Sequence, residues 1–225
     1  MREEGSVLDE RQHARLRELN SDHRVRIDAE REVRRSDGRE ADVERLDARS
    51  RDDLVRAMQN CVERYGMGTE RANVLELGAG DGRDIGRLRD AFHAEYSGVE
   101  VVPHTAAALA TRGVICSPIE SLPQEWSGRF SFVYSRHVME HVVDLDAALA
   151  EISRVLAPNG VVGAITPHYF PDPEPAHVTQ QTVTQWIQHY RRHGLRPVYA
   201  TLANYNCIEA HIVAIHEAWP LENRV

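Results

Sequence analysis

Three glycines follow a short apolar run and alternate with other residues: Gly78, Gly80 and Gly82. Glycine lets the backbone turn tightly and approach a ligand closely, because it has no Cβ. The dinucleotide fingerprint G-x-G-x-x-G would need its third glycine at position 83, where Arg83 stands. Glu76 before the turn and Asp81 within it are poor neighbours for a pyrophosphate. They favour a ligand that carries an amino group, ribose hydroxyls and a positive centre, and an ordinary loop is the alternative.

A carboxylate follows 22 residues after the first of these glycines, at Glu100. It ends residues 95–100, a segment that indicates a second strand. An acid at the end of that strand is placed to accept hydrogen bonds from both hydroxyls of a ribose. The alternative is a surface carboxylate, which the apolar residue Val99 before it disfavours.

Three blocks resemble class I S-adenosylmethionine-dependent methyltransferases: V-L-E-L-G-A-G-D-G at 74–82, residues 130–143 in the region of the fourth strand, and R-V-L-A-P-N-G at 154–160. The resemblance covers roughly residues 70–218. It implies S-adenosylmethionine as cofactor and direct displacement of its methyl group onto oxygen or nitrogen of a small molecule. It also implies these cofactor contacts: Glu76, Gly78, Ala79, Gly80, Gly82, Glu100, Val101, Ile119, Glu120, Ser135 and Arg136.

The loop after the third strand departs from the family's pattern. Many relatives carry there an Asp that holds the adenine amino group, and the equivalent position here is Pro118. Adenine contacts are then expected from Ile119 and its backbone, or from Ser117. Val101 or Val102 is expected to pack beside the adenine.

Two histidines are the predicted catalytic residues, His137 at the end of the fourth strand and His168 after the fifth. Either could accept a proton from the acceptor, because the pKa of histidine is ordinarily near neutrality. Residues 167–177 form a Pro-rich loop that also offers Tyr169 and His177. A plain connector is the alternative for this loop.

Residues 137–141 have the letters H-x-x-E-H, a zinc-protease pattern. His137 and His141 are four residues apart, a spacing that puts them on one face of a helix, where they could bind a metal ion. A third ligand would have to come from elsewhere, and the methyltransferase block already accounts for the motif. No metal is therefore predicted, and His141 is interpreted as a structural histidine.

The fold class that positions these residues is α/β, a Rossmann-like doubly wound sheet with a closing antiparallel strand and an N-terminal helical extension. Later strands are predicted at 112–116, 130–134 and 160–166. Two further strands, 195–205 and 208–218, are joined by a short turn and finish the sheet.

Residues 1–68 are predicted to be a helical extension or cap, and residues 69–225 the cofactor-binding domain. Apolar residues recur at helical spacing in the first segment, from Val7 and Leu8 onward, with a break at 36–38. Ser50 is predicted to cap a second half of the later helix. The extension could be a solvated helical layer, a lid over the substrate pocket, or an arm for a homodimer.

Composition narrows the function classes. The net charge of −8 argues against a general nucleic-acid binder. No apolar run approaches the ~18 residues of a membrane span, and three widely separated cysteines fit a reducing cytoplasm. The alternatives to an enzyme are a non-catalytic S-adenosylmethionine-binding or partner protein; a dinucleotide oxidoreductase is disfavoured by Arg83.

Overall fold

The computed structural model describes residues 10–36, 38, 40–65, 72–168 and 176–218. Two long helices come first, α1 (Glu10–Ser36) and α2 (Glu40–Tyr65). The predicted break between them is confirmed at Gly38, whose φ is +69°. Val7 and Leu8 lie outside the described residues.

A seven-stranded sheet follows in the order β3-β2-β1-β4-β5-β7-β6. Its strands are β1 (Asn73–Leu77), β2 (Glu95–Glu100), β3 (Val114–Cys116), β4 (Phe130–Arg136), β5 (Leu156–Pro167), β6 (Leu195–Asn204) and β7 (Ile208–His216). Strands β1 to β5 pair in parallel, and β7 pairs antiparallel with β5 and β6. The predicted fold class is therefore confirmed.

Within the part of the chain that the structure describes, four α-helices connect the strands: α3 (Asp84–Phe92), α4 (Pro103–Ala108), α5 (Leu145–Val155) and α6 (Val183–Arg192). The strand order changes direction between β1 and β4, which run side by side. In doubly wound sheets, ligands bind at the carboxyl edge of such a switch point.

Helix α2 packs directly on the sheet. Leu54 and Met58 are fully buried and share a hydrophobic cluster with residues of β1, β4, β5 and β7. The close approach of α2 to β5 depends on Gly163 in β5, because a Cβ added there would lie 2.4 Å from the Met58 sulfur. The helix is thus a layer of the fold, and the predicted division at residue 68 stays a prediction.

Two local predictions for the helices are wrong. Ser50 caps no helix, because α2 continues through it without interruption. Residues 139–141 form a short 3₁₀ turn and not an α-helix, so His137 and His141 do not share a helix face.

Exposed apolar residues remain on α1. Val25 and Val33 are 68% and 55% exposed. The homodimer predicted through these helices stays a prediction. Within the described residues, no helix has both the length and the apolar character needed to cross a bilayer.

Candidate active site

A cavity of about 520 Å³ lies at the carboxyl edge of the sheet. This volume falls in the range of about 300–1,000 Å³ that is usual for small-molecule sites. The Gly-rich turn after β1 and the ends of β2 and β4 form one side. Residues of α1 and α2, including Ile27, Val43 and Asp47, cover the other.

The Gly-rich turn is held by backbone bonds to the neighbouring strand. The N–H groups of Gly78 and Ala79 both donate to the carbonyl of Val99, each at 2.9 Å. Gly78 has φ +70°, and Gly80 and Gly82 are also in the left-handed region. A chain with ordinary side chains at these positions would be strained.

Glu100 closes this turn from the second strand. Its Oε2 accepts a hydrogen bond from Gly80 N and its Oε1 accepts one from Val102 N, both at 2.9 Å. The residue is buried and lines the cavity. One carboxylate therefore fixes the end of β2 and the Gly-rich turn relative to each other.

Glu76 lies beneath the turn and is almost fully buried. Tyr96 donates its hydroxyl to Glu76 Oε2 at 2.5 Å. Burial raises the pKa of Glu76 to about 8, and the hydrogen bond from Tyr96 only partly opposes this. Nearby Asp84 and Asp81 raise it further.

The raised pKa of Glu76 predicts a pH-dependent penalty on folding. Between its ordinary pKa of about 4.5 and about 8, the unfolded chain releases a proton that the folded chain retains, so stability falls as pH rises. Glu76→Gln should remove this term, because Gln can still accept from Tyr96. We expect the free energy of unfolding of the variant, relative to wild type, to grow by up to about 1.4 kcal/mol per pH unit in that window.

Urea denaturation at pH 5, 6, 7 and 8 measures this difference. Glu95→Gln, the same change at an exposed position of the neighbouring strand β2, is the control and should show no such trend. A difference for Glu76→Gln that stays constant with pH would contradict the prediction.

His137 belongs to the polar half of the cavity, which it forms with Glu140 and Glu209. It follows β4 with φ +51°, and its N–H donates to the carbonyl of Ile165. Its Nε2 lies 3.0 Å from Glu209 Oε1, and its Nδ1 lies 3.4 Å from Glu140 Oε1. Burial would lower the pKa of His137, but the carboxylates of Glu140 and Glu209 outweigh it and raise the pKa to about 9. A pKa near neutrality, expected from the sequence, is therefore wrong.

Glu209 in β7 connects this half of the cavity to α2. Its Oε2 accepts from Ser50 Oγ at 2.5 Å and lies 3.2 Å from His211 Nε2. Burial would raise the pKa of Glu209, but His137, His211 and Ser50 hold it well below its usual range. Ser50 thus makes a tertiary contact with β7 and does not cap a helix.

An ion-pair cluster joins α2 to the edge of the sheet. Arg136 Nη2 lies 3.0 Å from Asp47 Oδ1, and Arg51 Nε lies 3.3 Å from Asp84 Oδ1. Asn206 also donates to Asp47 Oδ1, at 2.5 Å. These contacts hold α2 in place beside the cavity.

Ten of the predicted site residues line this one cavity: Glu76, Gly78, Ala79, Gly80, Glu100, Val101, Ile119, Glu120, Arg136 and His137. Ser117, Pro118, Val102 and His177 line it as well. Three predicted residues do not. Ser135 is buried in β4, Gly82 faces Arg112 and Leu109, and His168 lies along β7, where its N–H donates to Ile208. Tyr169 lies outside the described residues.

The cavity also contains residues that the sequence did not single out. They include Asp47 and Arg51 of α2, Cys207 just before β7 and Glu209 in β7. No local spacing could have indicated them, because their contacts join segments that are far apart in the chain.

A family model described as a methyltransferase domain matches residues 44–209. No curated protein matches the chain. Among solved structures, the chain resembles the 1,6-didemethyltoxoflavin-N1-methyltransferase of Burkholderia thailandensis, solved with 1,6-didemethyltoxoflavin and S-adenosylhomocysteine. The TM-score is 0.65 at 18% identity, over 95% of this chain and 93% of that one.

Two further solved structures share the fold. The [4+2]-cyclase SpnF has a TM-score of 0.58 at 16% identity, over 72% of this chain and 81% of its own. The CMeT domain of the citrinin polyketide synthase has a TM-score of 0.57 at 18% identity, over 68% of this chain and 48% of its own. Identities this low show the fold alone, whereas the family model covers most of the chain. The chain therefore belongs to the class I S-adenosylmethionine-dependent methyltransferase family.

Proposed function

We propose that this enzyme transfers the methyl group of S-adenosylmethionine to an oxygen or nitrogen atom of a small-molecule acceptor inside the 520 Å³ cavity. One observation carries the proposal. A single cavity joins the Gly-rich turn and Glu100 at one end to a polar group around His137, Glu140 and Glu209 at the other. Cofactor and acceptor would then meet without a separate conformational step.

The residues at the first end fit the cofactor. A Cβ at Gly78 would lie 2.3 Å from a Val138 methyl carbon, so only glycine lets the backbone of the turn pass this close to Val138. Glu100 faces the cavity as the acceptor for ribose hydroxyls, and Glu76 and Asp81 suit an amino group. Bound S-adenosylmethionine supplies an electrophilic methyl group on a sulfonium.

The other predicted cofactor residues fall into apolar contacts, residues that border the cavity and residues that support its walls. Val101 and Ile119 provide apolar surface for the adenine, while Ala79, Gly80 and Glu120 border the same space. Gly82 and Ser135 do not line the cavity, so for them we propose support of the turn and of β4. Arg136, tied to Asp47, positions the cover formed by α2. We propose that residues 1–68 act as this cover and exclude water from the reacting groups.

Of the two predicted catalytic histidines, only His137 lines the cavity. Carboxylates face both of its ring nitrogens, Glu209 at 3.0 Å and Glu140 at 3.4 Å. Its pKa of about 9 keeps both ring nitrogens protonated at neutral pH, so the ring has no lone pair with which to accept another proton. We therefore assign His137 a positioning role between the two acids, and assign His168 no part in the transfer.

Calorimetry with S-adenosylmethionine and S-adenosylhomocysteine tests the cofactor site. Glu100→Ala removes a carboxylate acceptor whose hydrogen bonds are each worth about 1.5–3 kcal/mol, so we expect affinity to fall at least about 30-fold. Glu95→Ala, at the exposed start of the same strand, is the matched control and should bind like wild type. Equal affinity in Glu100→Ala and wild type would contradict the assignment.

Transfer itself is tested with methyl-labelled cofactor and a panel of phenols, alcohols, amines and carboxylates. Label in one acceptor class, lost in Glu100→Ala, is the expected result. Binding of the cofactor without transfer to any class would favour a non-catalytic binding protein.

A further inference from the structure

Three side chains of different elements bring ligand atoms together at the acceptor end of the cavity. A carboxylate oxygen of Glu140 and one ring nitrogen each of His141 and His177 lie within 4.8 Å of one another. All three residues line the cavity. The sequence pattern paired His137 with His141 and lacked a third ligand. In the structure Glu140 stands in place of His137, and His177 is the third group.

The segment that carries His177 is fixed against the turn that carries the other two. Thr179 N donates to the carbonyl of Glu140 at 2.9 Å, and Thr179 Oγ1 donates to the carbonyl of Val142 at 2.6 Å. The rings of His141 and His177 meet edge to face, with centroids 4.9 Å apart. The two hydrogen bonds from Thr179 and the contact between the rings therefore hold the segment of His177 against the turn of Glu140 and His141.

The orientation of His141 matches that of a metal ligand. Its Nδ1 lies 2.9 Å from the carbonyl of Ala176, so Nδ1 carries the proton that it donates. The lone pair is then on Nε2, the ring nitrogen 3.9 Å from Glu140 Oε1. Metal-ligating histidines almost always donate their other N–H to a carbonyl, carboxylate or water in this way.

Glu140 provides an independent reason to expect a cation. Its side chain is 3% exposed, and neither carboxylate oxygen accepts a hydrogen bond from the described residues. His137 Nδ1, at 3.4 Å, is the nearest positive partner that its ion pairs show. The pair with His137 leaves the hydrogen-bonding capacity of both buried oxygens unused, and coordination of a metal ion would use it.

We propose that Glu140, His141 and His177 bind one divalent transition-metal ion, with its open coordination positions directed into the cavity. Two imidazoles and a carboxylate suit Zn²⁺, Co²⁺, Mn²⁺ or Fe²⁺, whereas Ca²⁺ and Mg²⁺ prefer oxygen ligands. Three protein ligands with room for another group are typical of catalytic and not structural sites.

The ion would select the acceptor, and this step rests on the proposed methyl transfer. A hydroxyl oxygen on an open position loses its proton to solvent more readily, because the bound cation lowers the pKa of that hydroxyl. The oxygen keeps the electron pair and attacks the methyl carbon, the methyl–sulfur bond of the sulfonium breaks, and its electron pair leaves on the sulfur of S-adenosylhomocysteine. Carboxylates face both ring nitrogens of His137, so the proton goes to solvent and not to this ring. The acceptor class is therefore a hydroxyl compound that ligates metal.

Metal binding is tested without the cofactor. Protein stripped with EDTA and dialysed is titrated with Co²⁺ and Zn²⁺, with Co²⁺ absorption and calorimetry as readouts. We expect one ion per chain, and affinity reduced about 100-fold or more in Glu140→Gln and in His177→Ala. His104→Ala, an exposed histidine on α4, is the control and should bind like wild type.

Several outcomes would overturn the site: no stoichiometric binding, wild-type affinity in both Glu140→Gln and His177→Ala, or loss of binding in Cys207→Ala but not in His177→Ala. The last would place the ion instead at the neighbouring group of His137, Cys207 and Glu209. Calorimetry of S-adenosylhomocysteine on the stripped protein separates the two proposals. If S-adenosylhomocysteine binds and no metal ion does, only the proposed metal site is wrong. If a metal ion binds and S-adenosylhomocysteine does not, only the proposed methyl transfer is wrong.

Discussion

Gly78→Ala is expected to lower the affinity for S-adenosylhomocysteine by at least about 100-fold. Gly78 has φ +70°, a conformation that costs a residue with a Cβ about 1–2 kcal/mol. The new methyl group would also lie 2.3 Å from Val138 Cγ2 and 3.2 Å from Cγ1. Val138 is held between His137 and the 3₁₀ turn, so the Gly-rich turn must move away and leave the geometry that Glu100 fixes.

Calorimetry and thermal unfolding of three variants separate these effects. Gly86→Ala is the matched control, because an added Cβ there meets nothing within 4 Å and the residue is inside α3. It should bind normally and gain about 1 kcal/mol of stability. Gly78→Ala combined with Val138→Ala removes the contact but keeps the positive φ, so we expect only partial recovery. Wild-type affinity in Gly78→Ala alone would contradict the role given to this turn.

The parts of the fold that sequence predicts are those with a local cause. The apolar run of β1 and the following glycines indicate a strand and a tight turn, and both are confirmed. Pro103 indicates the first turn of α4, since its fixed φ suits that position. The short turn near Asn206 indicates the antiparallel pair β6 and β7, because so few residues cannot form a crossover.

The polar half of the site could not be predicted because its contacts are not local. Ser50 and Glu209 are 159 residues apart, and Ser50 satisfies the rules for a helix cap on its own. Glu209 lies in a strand whose pattern shows only that it is buried. His177 follows a Pro-rich stretch with no periodicity, and its position next to Glu140 depends on Thr179.

Arg51→Met is expected to destabilise the fold by about 3–5 kcal/mol at pH 7, the cost of removing one partner of a buried ion pair. Arg51 is only 8% exposed, and its Nε lies 3.3 Å from Asp84 Oδ1. Burial already raises the pKa of Asp84, while Arg51 and Arg136 oppose that rise. Without Arg51 the carboxylate loses its nearest cation while it stays between α2 and β4. Met keeps much of the side-chain volume, so the change tests charge and not packing.

The loss should depend on pH in one direction. Removing Arg51 raises the pKa of Asp84 further, so the deprotonated form is penalised more as pH rises and the loss is smaller at pH 5 than at pH 7. Arg56→Met is the control on the same helix: its pair with Asp53 is exposed and should contribute less than about 1 kcal/mol. Arg51→Met combined with Asp84→Asn should recover part of the stability, because the unpaired charge is gone. Urea denaturation at both pH values measures all three, and a loss of the same size in Arg51→Met and Arg56→Met would show that the buried pair does not hold α2 to the sheet.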